Sequence, residues 1–143
     1  MKKLLIIIAL LTSVISVSAQ RFEDYFDDRT LRLDYTFAGD NRQTMIYVDE
    51  LVALPRWYGK RQHLSEVPLK GNGQLIVRPH NRNEVIYRHA FSTLFQEWLA
   101  TDEAKHVQRS FENVFLIPFP KDTIDITVEL YDYHDRTAPT MTH

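Results

Sequence analysis

The sequence of 143 residues contains no cysteine and only four glycines. Without cysteine the chain has no disulfide, no thiol nucleophile and no site for a lipid on an N-terminal cysteine. The glycines match no phosphate-binding loop, because Lys70-Gly71-Asn72-Gly73 has the composition of such a loop but not its order. These absences exclude several classes of enzyme and leave packing as the source of stability.

Clustered positive charge is also missing. Residues 20–143 carry 15 Lys and Arg against 19 Asp and Glu, a formal charge of 15 − 19 = −4. Binding to a nucleic-acid backbone depends on a patch of lysine and arginine. The sequence therefore predicts no nucleic acid as a partner.

Long apolar runs are confined to the N-terminus. Residues 4–11 are all apolar, follow Lys2 and Lys3, and precede the small residues Val17-Ser18-Ala19 of a signal-peptidase site. A membrane-spanning helix would need about 20 apolar residues. Residues 1–19 are therefore predicted to be a cleaved signal peptide, so the mature protein begins at Gln20, is secreted or periplasmic, and has no membrane partner after cleavage.

Apolar and polar residues alternate over much of the remaining chain, which is typical of strands with one buried face. Shorter strands are predicted at residues 44–48, and at 74–78 and 84–91, where the last two would form a hairpin. The pattern predicts a mainly β fold, a jelly-roll-like antiparallel β-sandwich that forms one domain over residues 20–143. The apolar faces with the strongest alternation are Leu31, Leu33, Tyr35 and Phe37; Phe111, Phe115, Ile117 and Phe119; and Ile124, Ile126, Val128 and Leu130.

The last residues form an unusual end for such a domain. Residues 132–136 have the composition of a turn, and residues 137–143 begin an extended segment that stops almost at once. Folded proteins avoid leaving so short an edge uncovered. The chain is therefore expected to be part of a longer polypeptide.

One short segment, residues 93–100, has helical spacing instead. Thr93 and Gln96 match a capping box, in which the threonine hydroxyl accepts from a helical N–H and the glutamine amide reaches back. Gln96 is expected to face away from the apolar stripe of this helix. That stripe is predicted to plug an open end of the sandwich, and its members are Leu94, Phe95, Trp98 and Leu99. The alternative is that the stripe grips a partner.

No catalytic, cofactor or metal residue can be assigned from the sequence. The histidines stand at positions 63, 80, 89, 106, 134 and 143 and are never three or four apart, so one helix cannot direct two of them at a zinc ion. No serine lies in a G-x-S-x-G motif. The acidic residues between positions 23 and 28 lack the glycine and the alternating oxygens of a calcium loop, and we expect them to be solvated.

The best candidate for binding is the loop sequence LPRWYGKR. Trp57 and Tyr58 follow Arg56 in a segment bounded by Pro55 and Gly59. Aromatic side chains among cations could stack on a sugar or on the side chains of a partner protein. They could equally anchor the loop beneath the sandwich and leave the cations in water.

Several framework segments resemble a known family. They are RFEDYFDDRTLRLDYTFAG, LVALPRWYGKR, HLSEVPLKGNGQL, IYRHAFSTLFQEWLATDEAK, SFENVFLIPFPK and DITVELYD. Together they are similar to the N-terminal domain of the secreted zinc metallopeptidases related to bacterial IgA proteases, family sixty-four of the metallopeptidases. The resemblance covers essentially the whole chain after residue 19 and includes no catalytic motif.

This resemblance implies a β-sandwich that follows a signal peptide and precedes a separate catalytic domain on the same polypeptide. In the family, an H-E-x-x-H helix of that catalytic domain supplies zinc ligands and the general base. No position here matches the motif, so no catalytic residue is carried over, and zinc is implied only for the catalytic domain.

The resulting hypothesis is a non-catalytic domain that supports or orients the catalytic domain or contacts the protein substrate. One alternative is a free-standing secreted binding module, for carbohydrate or protein, that uses the loop aromatics. Another is an enzyme whose site is assembled from distant residues.

Overall fold

The computed structural model describes residues 20–131 and 137–142. Within this part the chain forms seven strands, two short helices and one 3₁₀ turn. The strands are β1 (Phe26–Gly39), β2 (Thr44–Leu54), β3 (Gly73–Pro79), β4 (Tyr87–Phe91), β5 (Arg109–Pro120), β6 (Ile124–Tyr131) and β7 (Thr137–Thr142). The helices are α1 (Phe22–Tyr25) and α2 (Leu94–Trp98), and the 3₁₀ turn is Glu103–Lys105.

The described strands form two antiparallel sheets. One sheet has the order β2-β1-β5 and the other has the order β4-β3-β6-β7. Hairpins join β1 to β2 and β3 to β4, β6 pairs with β7, and the chain crosses between the sheets after β2, β4 and β5. A single cluster of buried side chains fills the space between the sheets. The predicted antiparallel sandwich is therefore confirmed, as is the predicted hairpin of β3 and β4.

Alternation along the strands selects the side chains that enter the core. Leu33, Tyr35 and Phe37 of β1 are buried, as the sequence pattern predicts. The predicted strands at 111–119 and 124–130 correspond to β5 and β6. Rings from opposite sheets meet in the core, where the centroids of Phe91 on β4 and Phe115 on β5 lie 4.6 Å apart. Buried faces of the strands from β1 to β6 thus supply the apolar contacts that hold the sheets together.

Two strands are longer than the pattern indicates. β1 begins at Phe26 and β2 continues to Leu54. The register between β1 and β2 shifts between Asp34 and Tyr35, and the register between β1 and β5 shifts after Asp27. Because an irregularity of this kind interrupts the alternation of faces, the pattern cannot be followed beyond it.

The turn between β1 and β2 requires a glycine. Gly39 has a φ of +131°, and a Cβ at this position would lie 1.9 Å from the carbonyl oxygen of Gln43. Asp40 completes the turn, since its Oδ1 accepts from the N–H of Arg42 at 2.8 Å and from the N–H of Gln43 at 3.0 Å. The bond from Arg42, followed by one from the Gln108 side chain, lowers the pKa of the Asp40 carboxyl.

Helix α2 has one half of the predicted capping box. The hydroxyl of Thr93 accepts from the N–H of Gln96 at 3.0 Å. The N–H of Thr93 donates to Oδ1 of Asn72 at 2.9 Å, and the side-chain amide of Gln96 donates to the carbonyl of Tyr131. The prediction that Gln96 reaches back and faces away is wrong, because this side chain ties α2 to β6.

The apolar stripe of α2 is narrower than predicted. Phe95 is fully buried and stacks on Phe37 with 6.0 Å between the ring centroids. Trp98 and Leu99 are partly buried against the core. Leu94 is 71% exposed, so its place in the plug was predicted wrongly. Successive helical residues are about 100° apart, and a face centred on Phe95 and Leu99 therefore turns Leu94 to solvent.

Two predictions fall on residues outside the described part of the chain, namely the signal peptide at 1–19 and the turn at 132–136. The extended segment predicted from residue 137 corresponds to β7, which pairs with β6. Among the described residues, no helix has both the length and the apolar character needed to cross a membrane.

Candidate functional site

A groove lies where the edge strands β4 and β5 of the two sheets approach each other, beside the loop of residues 55–72. We call it the edge groove, and its volume is about 730 Å³. Its lining is mostly apolar with a few charged groups, the usual composition of a binding site. The lining residues are Thr30, Trp57, Tyr58, Gly59, Lys60, Glu66, Val67, Pro68, Leu69, Tyr87, Arg88, His89, Ala90, Val114 and Leu116.

Trp57 anchors the loop at the groove. Its side chain is only 7% exposed, meets the Tyr87 ring edge-on at 6.0 Å, and donates from Nε1 to the carbonyl of Lys60 at 3.0 Å. A Cβ on Gly59 would lie 2.1 Å from the Trp57 ring, so glycine at this position lets the ring fold back under the loop. The sequence left open whether Trp57 stacks on a ligand or anchors the loop. In the structure Trp57 anchors the loop.

The two neighbours of Trp57 are exposed. Tyr58 is 88% exposed and lines the edge groove. Arg56 is exposed and lies outside the groove lining, while its carbonyl accepts from the hydroxyl of Thr30 at 2.5 Å and so fixes the loop to β1. Contact with a partner stays a prediction for Tyr58 and Arg56.

Lys60 places a cation against the apolar lining. Its Nζ donates to the carbonyls of His63 at 3.2 Å and Glu66 at 2.7 Å, and it lies 5.1 Å from the centroid of the Tyr87 ring. Desolvation lowers the pKa of the Lys60 ammonium, and the Glu66 carboxylate acts in the opposite direction. Desolvation, with a smaller effect from Lys60, also lowers the pKa of His89. This part of the groove is therefore both cationic and poor in water.

A second cation of the lining, Arg88, has an unused donor. Its backbone N–H donates to the carbonyl of Leu64 at 2.9 Å, which closes part of the β4 edge. Its side-chain Nε is buried and has no hydrogen-bond partner among the described residues. A buried donor left unpaired costs about 1–3 kcal/mol, so an acceptor brought by a ligand would be favourable here. The lining carboxylate, Glu66, already pairs with Nδ1 of His63 at 2.8 Å.

The rim of the groove is unusually apolar for a protein surface. Four of the eight large apolar side chains that are exposed in the described part line it: Tyr58, Leu69, Val114 and Leu116. Val114 and Leu116 lie on the solvent face of β5, with exposures of 49% and 48%. Sequence reasoning singled out Tyr58 but missed Leu69, Val114 and Leu116. The signal for Val114 and Leu116 was the unbroken apolar run at 114–117, which indicates a strand with apolar side chains on both faces.

Two further cavities have mostly polar or charged lining residues. One, of about 840 Å³, lies along α1 and residues 61–66, and the other, of about 450 Å³, lies near His80. Within residues 20–131, no group of three or more His, Asp or Glu side chains is placed to hold a metal ion. The edge groove is therefore the candidate that combines an apolar wall with convergent charge.

The fold and the groove define the chain as an antiparallel β-sandwich module with a partly cationic concave surface at one sheet edge. A family model described as Peptidase M64 N-terminus matches residues 21–141, which include β1 to β6 and most of β7. The chain therefore belongs to this family and is an N-terminal domain of M64 peptidases, as the framework segments suggested. A search of curated proteins finds no match.

Proposed function

We propose that this domain is the non-catalytic N-terminal part of an exported zinc metallopeptidase, where it supports or orients the catalytic domain or contacts the protein substrate. The observation that carries the proposal is the family match over residues 21–141. The sequence also contains no H-E-x-x-H, the arrangement by which one helix supplies two zinc ligands and a general base. In this proposal the zinc chemistry belongs to a separate domain of the same polypeptide.

Reading the gene beyond codon 143 is the first test. We expect the reading frame to continue into a segment that encodes H-E-x-x-H. A stop codon directly after codon 143 would refute the proposal that this domain is part of a longer peptidase.

Deletion tests the supporting role in the full-length enzyme. Removing residues 20–143 while keeping the export signal should lower peptidase activity or the yield of folded catalytic domain. The matched control changes the glutamate of H-E-x-x-H to glutamine. This variant should lose peptidase activity and keep the melting temperature of the β-sandwich domain unchanged. Full activity and a normal yield after the deletion would contradict the role.

Export is part of the same proposal. The charged start, the apolar run at residues 4–11 and the small residues at 17–19 support a cleaved signal and a secreted or periplasmic location. N-terminal sequencing of the protein recovered from the producing cells should begin at Gln20. Recovery of a chain that still begins at Met1 would contradict export by cleavage.

A second candidate is a free-standing secreted module that binds carbohydrate or protein through loop aromatics. The exposed ring of Tyr58 favours it, whereas the buried ring of Trp57 offers no face for stacking. Binding on a glycan array that is lost in Tyr58→Ala and kept in Tyr47→Ala would support this candidate, because Tyr47 is also exposed and lies outside the groove. No binding to any glycan would reject carbohydrate as the ligand.

A further inference from the structure

The geometry points to the edge groove as the docking site for an extended segment of the protein substrate that carries carboxylates between apolar side chains. This inference rests on the proposed function, since it assigns substrate contact to a particular surface. It combines an open strand edge, an apolar rim and a cationic wall.

The open strand edge belongs to β5. In the part of the chain that the structure describes, β5 pairs with β1 on one side and with no strand on the other. Residues 112–117 of β5 contain no proline, whereas Pro118 and Pro120 follow at its end. The edge of β4 across the groove is partly closed by the bond between Arg88 and Leu64. An added peptide strand therefore fits β5, where its backbone would complete the ladder.

The apolar rim suits alternate side chains of such a strand. Side chains of an extended peptide point to opposite faces, so every second one would meet the same wall. Val114 and Leu116 form that wall on β5, and Tyr58 and Leu69 face it from the loop. Concentration of exposed apolar surface at one place, with polar surroundings, is typical of a protein-binding site.

The positive charge of the groove favours an acidic segment of the substrate. Lys60 and Arg88 line the groove, and the buried Nε of Arg88 lacks an acceptor. Glu66 is the one acidic residue among the described residues of the lining, so it offsets only part of the charge of the two cations. Guanidinium groups bind carboxylates through strong charge-assisted hydrogen bonds. A second copy of this chain fits less well, because pairing of two β5 edges would bring like-charged grooves together.

Fluorescence anisotropy of the purified protein with a labelled peptide tests the inference. The probe is acetyl-Gly-Leu-Glu-Leu-Glu-Leu-Gly-amide, and the control peptides replace both Glu by Lys or the central Leu by Pro. We expect saturable binding of the probe, about tenfold weaker binding of the lysine peptide, and loss of binding for the proline peptide, which lacks a backbone donor.

Protein variants locate the binding. Leu116→Glu places a negative charge on the β5 wall, and Arg88→Gln removes the charge of the Arg88 guanidinium, so each should weaken probe binding about tenfold. Leu94→Glu is the matched control, because Leu94 is exposed but lies outside the groove. It should bind the probe as the parent protein does. Melting curves establish that each variant is folded. If Arg88→Gln does not fold, probe binding by Leu116→Glu alone tests whether the peptide binds at the edge groove.

Three outcomes would overturn the inference: no saturable binding of the probe, equal binding of the lysine peptide, or undiminished binding by folded Leu116→Glu. A stable dimer in solution that Leu116→Glu dissociates would also overturn it in favour of self-association. If the probe fails to bind while deletion of the domain lowers peptidase activity, the proposed function stands and this inference falls. A stop codon directly after codon 143 would instead reject the proposed function, whatever the probe does.

Discussion

Phe95→Ala should destabilise the domain strongly, whereas Leu94→Ala should not. Phe95 is fully buried and its ring contacts Phe37, Trp98 and Phe111 at centroid distances of 6.0, 5.9 and 5.7 Å. Truncation of a buried phenylalanine removes its transfer free energy and leaves a cavity, which together cost about 3–5 kcal/mol. Because α2 has only five residues, the helix can settle partly into the cavity, and we expect a loss of about 3–4 kcal/mol.

Thermal unfolding followed by tryptophan fluorescence measures this loss. For a domain of this size a change of 1 kcal/mol moves the midpoint by about 3–5 °C, so Phe95→Ala should lower it by about 10–15 °C. Leu94→Ala changes an exposed neighbour in the same helix and should stay within about 0.5 kcal/mol of the parent protein. Equal losses of stability in the two variants, or an unchanged midpoint in Phe95→Ala, would refute the conclusion that α2 buries Phe95 and exposes Leu94.

Three smaller perturbations test other local arguments. Thr93→Ala removes the cap of α2 and should cost about 1 kcal/mol in urea unfolding, and an unchanged midpoint would contradict the cap. Gly59→Ala should displace Trp57 and shift its fluorescence emission, because the added Cβ would lie 2.1 Å from the ring, so an unshifted spectrum would count against the anchor. The pKa of the Asp40 carboxyl is lowered from 3.8, chiefly because the carboxylate accepts from the N–H of Arg42. The ionised Asp40 side chain therefore stabilises the folded state above pH 3.8, and this stabilisation is lost as the pH falls through the pKa of the folded state. Asp40→Asn should therefore lose less stability than the parent protein on acidification, and identical acid profiles would contradict this.

The strands were predictable where alternation is regular and one face is buried. β5 and β6 show this in the sequence, since their buried apolar side chains, Phe115 and Ile117 in β5 and Ile126, Val128 and Leu130 in β6, stand at alternate positions. The pattern failed where the register shifts, at Asp49 of β2 and at Asp28 and Arg29 of β1, because these extra residues interrupt the alternation of faces along their own strands. Periodicity therefore identified the sandwich but not the full extent of its first two strands.

The helix and the groove depend on tertiary contacts that local spacing does not encode. Leu94 belongs to the apolar stripe by spacing, but the core reaches only the side of α2 that carries Phe95 and Leu99. The aromatic pair of the loop was ambiguous for the same reason, since adjacent side chains of a loop can face opposite ways. Trp57 is buried and Tyr58 is exposed. The edge groove brings residues 57–69 of the loop beside residues 114 and 116 of β5, a proximity that only the folded arrangement of the two sheets creates.

The loop of residues 55–72 protects one sheet edge and leaves the other open. Loops longer than about 12–15 residues without helices or strands of their own are often binding loops. Buried Trp57 and Leu64 hold this loop in place, and the carbonyl of Leu64 covers β4, yet β5 lies beside it with apolar side chains in solvent. Natural proteins usually protect such an edge with charge, proline or a covering segment. Since the loop already lies against this groove but covers only β4, the exposure of β5 is better explained by a partner that completes the edge than by incomplete packing.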